Sequence, residues 1–232
     1  SRRRPRPGTG LGCRRGVAGL VVVCVLALGV AACSVKDAKA EASASASASA
    51  SAAIARAEKD IADANARATA SREAALTPEL RAKRDAALAE PAPAKPPQMN
   101  EESAEGAAAS VGYFLDLYRY AFMTGNTAEL AKMSEDRCVF CKSVIDRAND
   151  LHKDGGWSNK WEQNVTNIRY YEKLEGYNYN LVHVYINYGQ MTWCHPGKNP
   201  ETADPIEGQE LKFGVRYVGG RWMIGEGEVI SK

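Results

Sequence analysis

The first 100 residues contain no aromatic residue: the four Trp, ten Tyr and four Phe of this 232-residue chain all lie between residues 101 and 232. Large aliphatic residues are also sparse from residue 34 to residue 100. Such a segment has little from which to build a packed core. We therefore expect one folded domain, at residues 101–232, which is long enough for a single hydrophobic core.

That C-terminal part also lacks a surplus of basic residues. It holds 14 Lys and Arg against 19 Asp and Glu, whereas residues 1–15 carry six Arg and no acid. The formal net charge of +2 for the whole chain therefore originates at its start. Nucleic-acid binding depends on a positive surface, so we expect no nucleic acid among the partners.

Catalytic sequence motifs are missing as well. The chain has no nucleophile elbow, no phosphate-binding loop and no metal-binding helix motif. Of its three histidines, His152 and His183 are isolated, and an isolated histidine is more often a packed or surface residue than a catalyst. We expect no enzyme activity and no cofactor.

Residues 16–32 carry no charge, although they follow the Arg-rich start. A basic region before an apolar stretch and small residues is typical of a secretory signal. Here the stretch ends in Leu-Gly-Val-Ala-Ala before Cys33, which resembles the lipobox of bacterial lipoproteins. The resemblance implies cleavage before Cys33, a lipid on its thiol, and attachment to the outer face of the cytoplasmic membrane.

An uncut transmembrane anchor is the alternative interpretation of the same segment. At about 1.5 Å per residue, its 17 residues would span roughly 25 Å, somewhat less than the ~30 Å core of a bilayer. Under either interpretation the positive charge stays inside, so that the remainder of the chain lies outside the cytoplasm.

Residues 33–100 are low in complexity. A Ser/Ala alternation predicts a flexible tether. The following stretch, rich in Ala, Arg, Glu and Lys, favours marginal helices that break at Thr77-Pro78. A Pro-rich segment precedes the domain. We expect a stalk, partly helical or disordered, between a signal at residues 1–32 and the domain at residues 101–232.

The domain changes from helical to strand periodicity along its length. Apolar residues recur at helical spacing over residues 102–123, and two further helices are predicted before Gly155, the last of them capped by Ser134. Alternating patterns then predict about four strands, with a hairpin turn at Gly219-Gly220 and a Pro-rich acidic loop at residues 193–208. We expect an α+β fold with three helices packed on one face of an antiparallel sheet.

This order is similar to the nuclear-transport-factor-2-like, or cystatin-like, cone, in which the sheet is curved. More narrowly, the domain resembles an actinobacterial lipoprotein family known as domain of unknown function 6318. The resemblance is carried by residues 113–121, 124–127, 133–134, 138–141 and 154–157. It implies the fold and the cellular location but no activity, because a shared fold does not transfer function.

Cys138-Val139-Phe140-Cys141 is the sharpest local motif. Two thiols at a helix start favour a lowered thiol pKa and suggest disulfide exchange. A redox site of that kind, however, needs a strand before the helix, and here a helix precedes it. A structural disulfide between Cys138 and Cys141 in an oxidising compartment is the interpretation that we prefer.

Cys194 is the odd thiol of the domain. Together with Cys138, Cys141 and His195 it raises the question of a zinc site. Adjacent Cys194 and His195 would point to opposite faces of an extended chain, so we expect no metal. Cys194 is then either free and half-buried, or able to exchange with the Cys138–Cys141 pair.

The cone fold often encloses a pocket, and some of its members are isomerases or dehydratases. Asp116, Tyr118, His183 and Tyr185 are the residues that could line such a pocket, although their spacing singles out no acid–base pair. Our first hypothesis is a non-enzymatic module that binds a protein, a cell-wall component or a small apolar ligand. A cone-fold enzyme, a redox module and a homodimer through the outer sheet face are the further hypotheses.

Overall fold

The computed structural model describes residues 34–230, with side chains from residue 47 onward. The predicted signal and Cys33 lie outside the described residues. The helices are α1 (Ser34–Ala75), α2 (Pro78–Leu88), α3 (Ala104–Thr124), α4 (Ala128–Met133) and α5 (Val139–His152). The strands are β1 (Trp157–Ser158), β2 (Gln163–Tyr171), β3 (Asn180–Tyr188), β4 (Met191–Cys194), β5 (Glu201–Ala203), β6 (Ile206–Val218) and β7 (Arg221–Ile230).

The chain divides after Lys59 into two units, and α1 contributes to both. Everything below concerns the second unit, from residue 60 onward. Within the described part of the chain, no helix is both long enough and apolar enough to cross a membrane.

The predicted α+β class is confirmed, with two antiparallel sheets. The larger sheet has the order β2-β3-β6-β7, and the smaller has the order β1-β4-β5. The smaller sheet was not predicted, since the expected loop at residues 193–208 contains the end of β4, all of β5 and the start of β6. Strands of two to four residues are too short to show an alternating pattern.

The core lies between the helices and one face of the larger sheet. Val182, Val184 and Ile186 alternate along β3 with residues on the opposite face, and all three are fully buried. The ring of Phe114 from α3 meets that of Phe213 from β6 edge-on at 5.7 Å. Period-two alternation in the strands and helical spacing in α3 thus bury their apolar faces against each other.

The core also extends into the segment predicted as stalk. Ala87 of α2 is fully buried, and Met99, in a 3-10 turn before α3, is 4 % exposed. The Trp222 indole donates a hydrogen bond to the Glu101 carbonyl at 2.9 Å, which fixes the chain where it enters the domain. Small or single apolar residues such as these carry no periodic signal, so the sequence did not reveal their burial.

The third helix of the domain begins later than predicted. Its N-cap is Cys138, whose sulfur accepts a hydrogen bond from the Cys141 amide at 3.2 Å. Ser134, the predicted cap, instead donates to the Leu130 carbonyl, and it forms a parallel bridge with Ile224 of β7. Pairing with the sheet edge therefore keeps the segment before α5 extended, so that the helix begins only at Val139.

The predicted disulfide between Cys138 and Cys141 is confirmed. Both cysteines are buried, at 1 % and 0 % exposure. A disulfide exchanger must present a sulfur to its substrate, so this burial counts against the redox hypothesis. The cross-link closes only a short loop, which in the chain-entropy view contributes about 2 kcal/mol or less to stability.

Glu135 holds together three separate segments at one end of the larger sheet. One carboxylate oxygen accepts a hydrogen bond from the Tyr179 hydroxyl at 2.8 Å, and the other accepts from Arg216 Nε. The Arg216 guanidinium also lies over the Tyr179 ring, 5.3 Å from its centre. Burial raises the pKa of the Glu135 carboxyl, but the two hydrogen bonds outweigh it and hold that pKa below its ordinary value.

This cluster predicts a pH-dependent contribution to stability. Because the folded-state pKa of Glu135 is depressed, its contribution is complete above the unfolded value of 4.5 and is lost as the pH falls through the folded value. At pH 7 we expect Glu135→Gln to lower the free energy of unfolding by about 1–3 kcal/mol. In urea titrations at a series of pH values, the difference between the two proteins should shrink below pH 4.5. A difference that stays constant down to pH 2 would contradict this assignment.

Candidate functional site

The N-terminal helices of the second unit form a hairpin. Thr77 caps α2 by accepting a hydrogen bond from the Leu80 amide at 3.3 Å, and Pro78 occupies the first turn. Arg84 of α2 makes a two-pronged ion pair with Glu73 of α1. The hydrogen bonds from Arg84 lower the pKa of the Glu73 carboxyl. The break at Thr77-Pro78 that the sequence predicted is therefore a hairpin corner, fastened by a side-chain pair.

A second ion-pair cluster fixes this hairpin to the domain. Glu90, just after α2, contacts Arg119 of α3 at 2.9 Å and Lys160 at 2.7 Å, and its side chain is only 12 % exposed. Arg119 also donates to the Trp161 carbonyl at 2.8 Å. A carboxylate held between two cations and shielded from water is a firm attachment point, so the hairpin is a fixed wall of the molecule.

The opposite wall is formed by the chain around β1 and by the loop that follows β4. Gly156 precedes Trp157, and a Cβ at Gly156 would lie 2.2 Å from the Leu151 carbonyl oxygen, so only glycine fits there. Trp157 of β1 pairs with Cys194 of β4 and is 3 % exposed. The loop of residues 195–200 follows β4 and includes Pro196 and Pro200.

Between the two walls lies a groove of about 670 Å³, which we call the hairpin groove. The volume is within the range of about 300–1,000 Å³ that is typical of small-molecule sites. Its apolar lining comes from both walls. The main apolar contributors are Leu76, Leu80, Leu88, Trp157, Pro196 and Pro200.

The groove also contains two cationic side chains that are not neutralised. Arg72 donates to the Thr69 hydroxyl at 3.0 Å and lies against Gly155, and no carboxylate among the described residues pairs with it. Lys198, on the loop wall, likewise has no ion-pair partner in residues 34–230. By contrast, Arg84 and Glu73 neutralise each other. The groove therefore combines an apolar lining with a net positive charge.

Two further titratable side chains of the groove, His152 and Cys194, are shielded from water by burial. Desolvation by burial lowers the pKa of His152, whose Nε2 donates to the Phe122 carbonyl at 2.8 Å. Burial raises the pKa of the free Cys194 thiol. Cys194 is buried rather than half-buried, at 7 % exposure, and a buried neutral thiol is a poor nucleophile. The burial of Cys194 therefore counts against covalent chemistry at that thiol.

The four residues predicted to line a pocket are not brought together. Asp116 is exposed on α3, 3.4 Å from the Gln163 amide, and partial desolvation raises its pKa. Tyr118 packs between Phe122 and Trp161, with ring centres 5.0 and 6.5 Å away. It therefore belongs to the aromatic packing of α3 rather than to a reactive site.

His183 and Tyr185 lie on the other side of the larger sheet, facing away from the helices. His183 Nδ1 is 3.5 Å from Glu210, and its ring is 5.1 Å from that of Tyr171. Tyr185 lies beneath the guanidinium of Arg169, at 5.9 Å. The predicted pocket would require all four side chains on the inner face, where Phe114 and Phe213 fill the space.

The cysteines likewise do not assemble a zinc site. Cys138 and Cys141 are joined to each other, and within the described residues no group of three or more His, Cys, Asp and Glu side chains is placed to hold a metal ion. Two of the four ligands that the sequence suggested are thus already bonded as a disulfide.

The sequence pattern of a family described as "Family of unknown function (DUF6318)" matches residues 82–228. The chain belongs to this family, since the match covers more than half of it. The match begins within α2, so the family domain includes part of the hairpin wall.

Among solved structures, the intermembrane space region of the chloroplast protein ARC6 is similar, with 19 % identity, a TM-score of 0.44, and coverage of 57 % of this chain and 99 % of that one. At that TM-score the likeness supports no conclusion about fold or function. No curated protein matches the chain.

Proposed function

We propose that this protein is a lipid-anchored, non-enzymatic module of the cell envelope that binds a long-chain carboxylate in the hairpin groove. The single observation that carries the proposal is the composition of that groove. Both walls contribute Leu, Trp or Pro side chains to the lining, and the groove contains two cationic side chains without an ion-pair partner in residues 34–230, Arg72 and Lys198. An acyl chain with one anionic head group complements both features.

The lining of the hairpin groove also favours a long-chain carboxylate over an apolar molecule or a peptide. A purely apolar molecule would leave Arg72 without a counter-charge, whereas the planar guanidinium matches a carboxylate in a two-pronged geometry. A peptide partner would need main-chain hydrogen bonds from an exposed sheet edge or helix, and the groove is lined mainly by side chains of helices and a loop. A single acyl chain therefore fits better than a peptide.

The tether is the second part of the proposal. Cleavage before Cys33, and a diacylglyceryl group on its thiol, would make the low-complexity segment after Cys33 a stalk on the outer face of the membrane. The hairpin, which is attached through Glu90, and residues 101–232 would form the cone-like domain beyond it. Acyl chains are abundant at that surface. Intact-mass measurement of protein extracted from membranes should give a chain that begins at Cys33 and carries the lipid, whereas an unprocessed mass would point to an uncut anchor.

The function is tested by the charge dependence of binding. We expect the full chain, in phosphatidylcholine nanodiscs, to bind radiolabelled oleate with a dissociation constant that rises about tenfold (about 1.4 kcal/mol) in the double variant Arg72→Gln, Lys198→Gln. Binding of the neutral analogue oleyl alcohol should change little, because the removed cations act only on the head group.

The matched control removes two positive charges outside the hairpin groove. Arg169→Gln with Lys212→Gln alters two cations on the outer face of the larger sheet, opposite His183 in the strand register. It should leave oleate binding unchanged. Equal weakening in both double variants, or no saturable binding above that of empty nanodiscs, would overturn the proposed function.

A further inference from the structure

A second groove, remote in sequence from the hairpin groove, runs between the segment before α5 and the β6–β7 hairpin. Its volume is about 740 Å³. We call it the arginine groove. Its charged lining consists of Lys132, Glu135, Asp136, Arg137, Arg216 and Arg221. None of these residues lines the hairpin groove.

The arginine groove is positive although the domain is acidic. Its lining has four cationic and two anionic side chains, whereas residues 101–232 as a whole carry more acids than bases. Lys132 is paired with Glu129 outside the groove at 2.6 Å. Arg137 and Arg221 have no ion-pair partner anywhere in residues 34–230. An anion bound in this groove could therefore pair with two guanidinium groups that have no ion-pair partner among the described residues.

A third guanidinium is held in position before any ligand arrives. Arg216 Nε donates to Glu135, and the guanidinium lies over the Tyr179 ring. Both oxygens of Glu135 are already engaged, one by Arg216 and one by Tyr179. These contacts use Nε and one face of the guanidinium, leaving the terminal nitrogens for an oxyanion. An arginine fixed in this way loses little rotamer freedom on binding.

The carboxylate of Asp136 is not engaged by another side chain of the groove, and it determines which chemical groups of a ligand can lie beside it. Asp136 has no ion-pair or hydrogen-bond partner among the described side chains, and an ionised carboxylate accepts hydrogen bonds only. It would repel a second anionic group but accept hydrogen bonds from hydroxyls. Guanidinium forks bind phosphate oxygens in a two-pronged geometry. We propose that the arginine groove binds a phosphate ester of a polyol, with the phosphate on Arg137, Arg216 and Arg221 and a hydroxyl on Asp136.

This site is independent of the hairpin groove, and its test uses a different probe. With the full chain in phosphatidylcholine nanodiscs, we expect isothermal titration with glycerol 3-phosphate to show saturable binding at one site. Glycerol should give no signal, and sulfate should bind at least tenfold more weakly because it offers Asp136 no hydroxyl. A phosphodiester of two glycerols that binds as well as the monoester would assign the site to a polymer or lipid head group, and a preference for the monoester would assign it to a soluble ester. Either result supports the phosphate site.

The variant Arg137→Gln, Arg221→Gln should weaken glycerol 3-phosphate binding at least tenfold while leaving the urea unfolding midpoint unchanged, since neither side chain makes an ion pair. Arg169→Gln, on the outer face of the larger sheet, is the matched control and should bind like the unaltered chain. Asp136→Asn should narrow the preference for glycerol 3-phosphate over sulfate. Absence of saturable binding, equal affinity for sulfate, or equal weakening by the control would overturn the proposal.

Discussion

Replacing Gly225 by alanine should destabilise the protein by about 2–4 kcal/mol. An added Cβ would lie 2.2 Å from Cε1 and 2.4 Å from Cζ of the Tyr179 ring. The ring cannot move away freely, because its hydroxyl donates to Glu135 and Arg216 lies on its face. Moving it would break the hydrogen bond to Glu135, whose side chain is 13 % exposed, so that overpacking and a lost hydrogen bond act together.

A double-mutant cycle separates this clash from a general effect of the substitution. If the Tyr179 ring is the obstacle, Gly225→Ala should cost less than about 1 kcal/mol in a chain that already carries Tyr179→Ala. Urea unfolding provides the measurement. Gly112→Ala is the control, because a Cβ there meets nothing within 4 Å, and in the interior of α3 it should stabilise the protein by about 0.5–1 kcal/mol. An equal cost for Gly225→Ala with and without the ring would contradict this packing.

A negative charge placed in the hairpin groove should have the largest effect on ligand binding. Leu80 is half-buried in α2 and lines the groove. Leu80→Glu removes apolar contact with the acyl chain and adds an anion that repels the carboxylate. We expect the dissociation constant for oleate to rise at least about 30-fold, equivalent to about 2 kcal/mol.

Two further variants distinguish charge from lost contact. Leu80→Lys removes the same apolar contact but attracts the head group, so its oleate affinity should lie between that of Leu80→Glu and the unaltered chain. Leu174→Glu introduces the same charge at a residue that is 73 % exposed in the β2–β3 connection, and it should bind oleate normally. Equal affinities for the Glu and Lys variants at residue 80 would exclude an anionic head group in the groove.

The order of elements in the domain was readable because each element carries a strong local signal. Alternation of apolar and polar residues predicted the strands β3, β6 and β7. The Gly219-Gly220 pair predicted the turn between β6 and β7, and both glycines have positive φ angles there, +59° and +79°. Helical spacing gave α3. The match to domain of unknown function 6318 was confirmed over residues 82–228. The structural disulfide between Cys138 and Cys141 was preferred because a helix, and not a strand, precedes the motif.

The hairpin groove could not be predicted, because both of its walls lack a sequence signal. One wall is an Ala-rich helical hairpin whose burial depends on contacts such as Glu90 with Arg119, which are distant in sequence. The other is a loop after a four-residue strand. The arginine groove was hidden for a similar reason, since Arg137 and Arg221 are 84 residues apart and share the groove because the segment before α5 pairs with β7 at Ile224.

Some predicted residues were misplaced because sequence alone does not show which sheet face is covered. His183 and Tyr185 alternate with Val182 and Val184, so one set had to face away from the helices. The apolar set took the inner face. Asp116 and Tyr118 lie on α3, and the packed core separates them from the outer face.

Photoaffinity labelling tests the central claim, binding of a long-chain carboxylate in the hairpin groove, most directly. A fatty acid with a diazirine in its chain would be cross-linked to the full chain in membranes, and the labelled residues mapped by mass spectrometry. The proposal predicts labelling on both walls, within residues 76–88 and 194–200, that excess oleate suppresses. Labelling confined to the outer sheet face around Tyr171 and Tyr185, or labelling that oleate does not suppress, would contradict it.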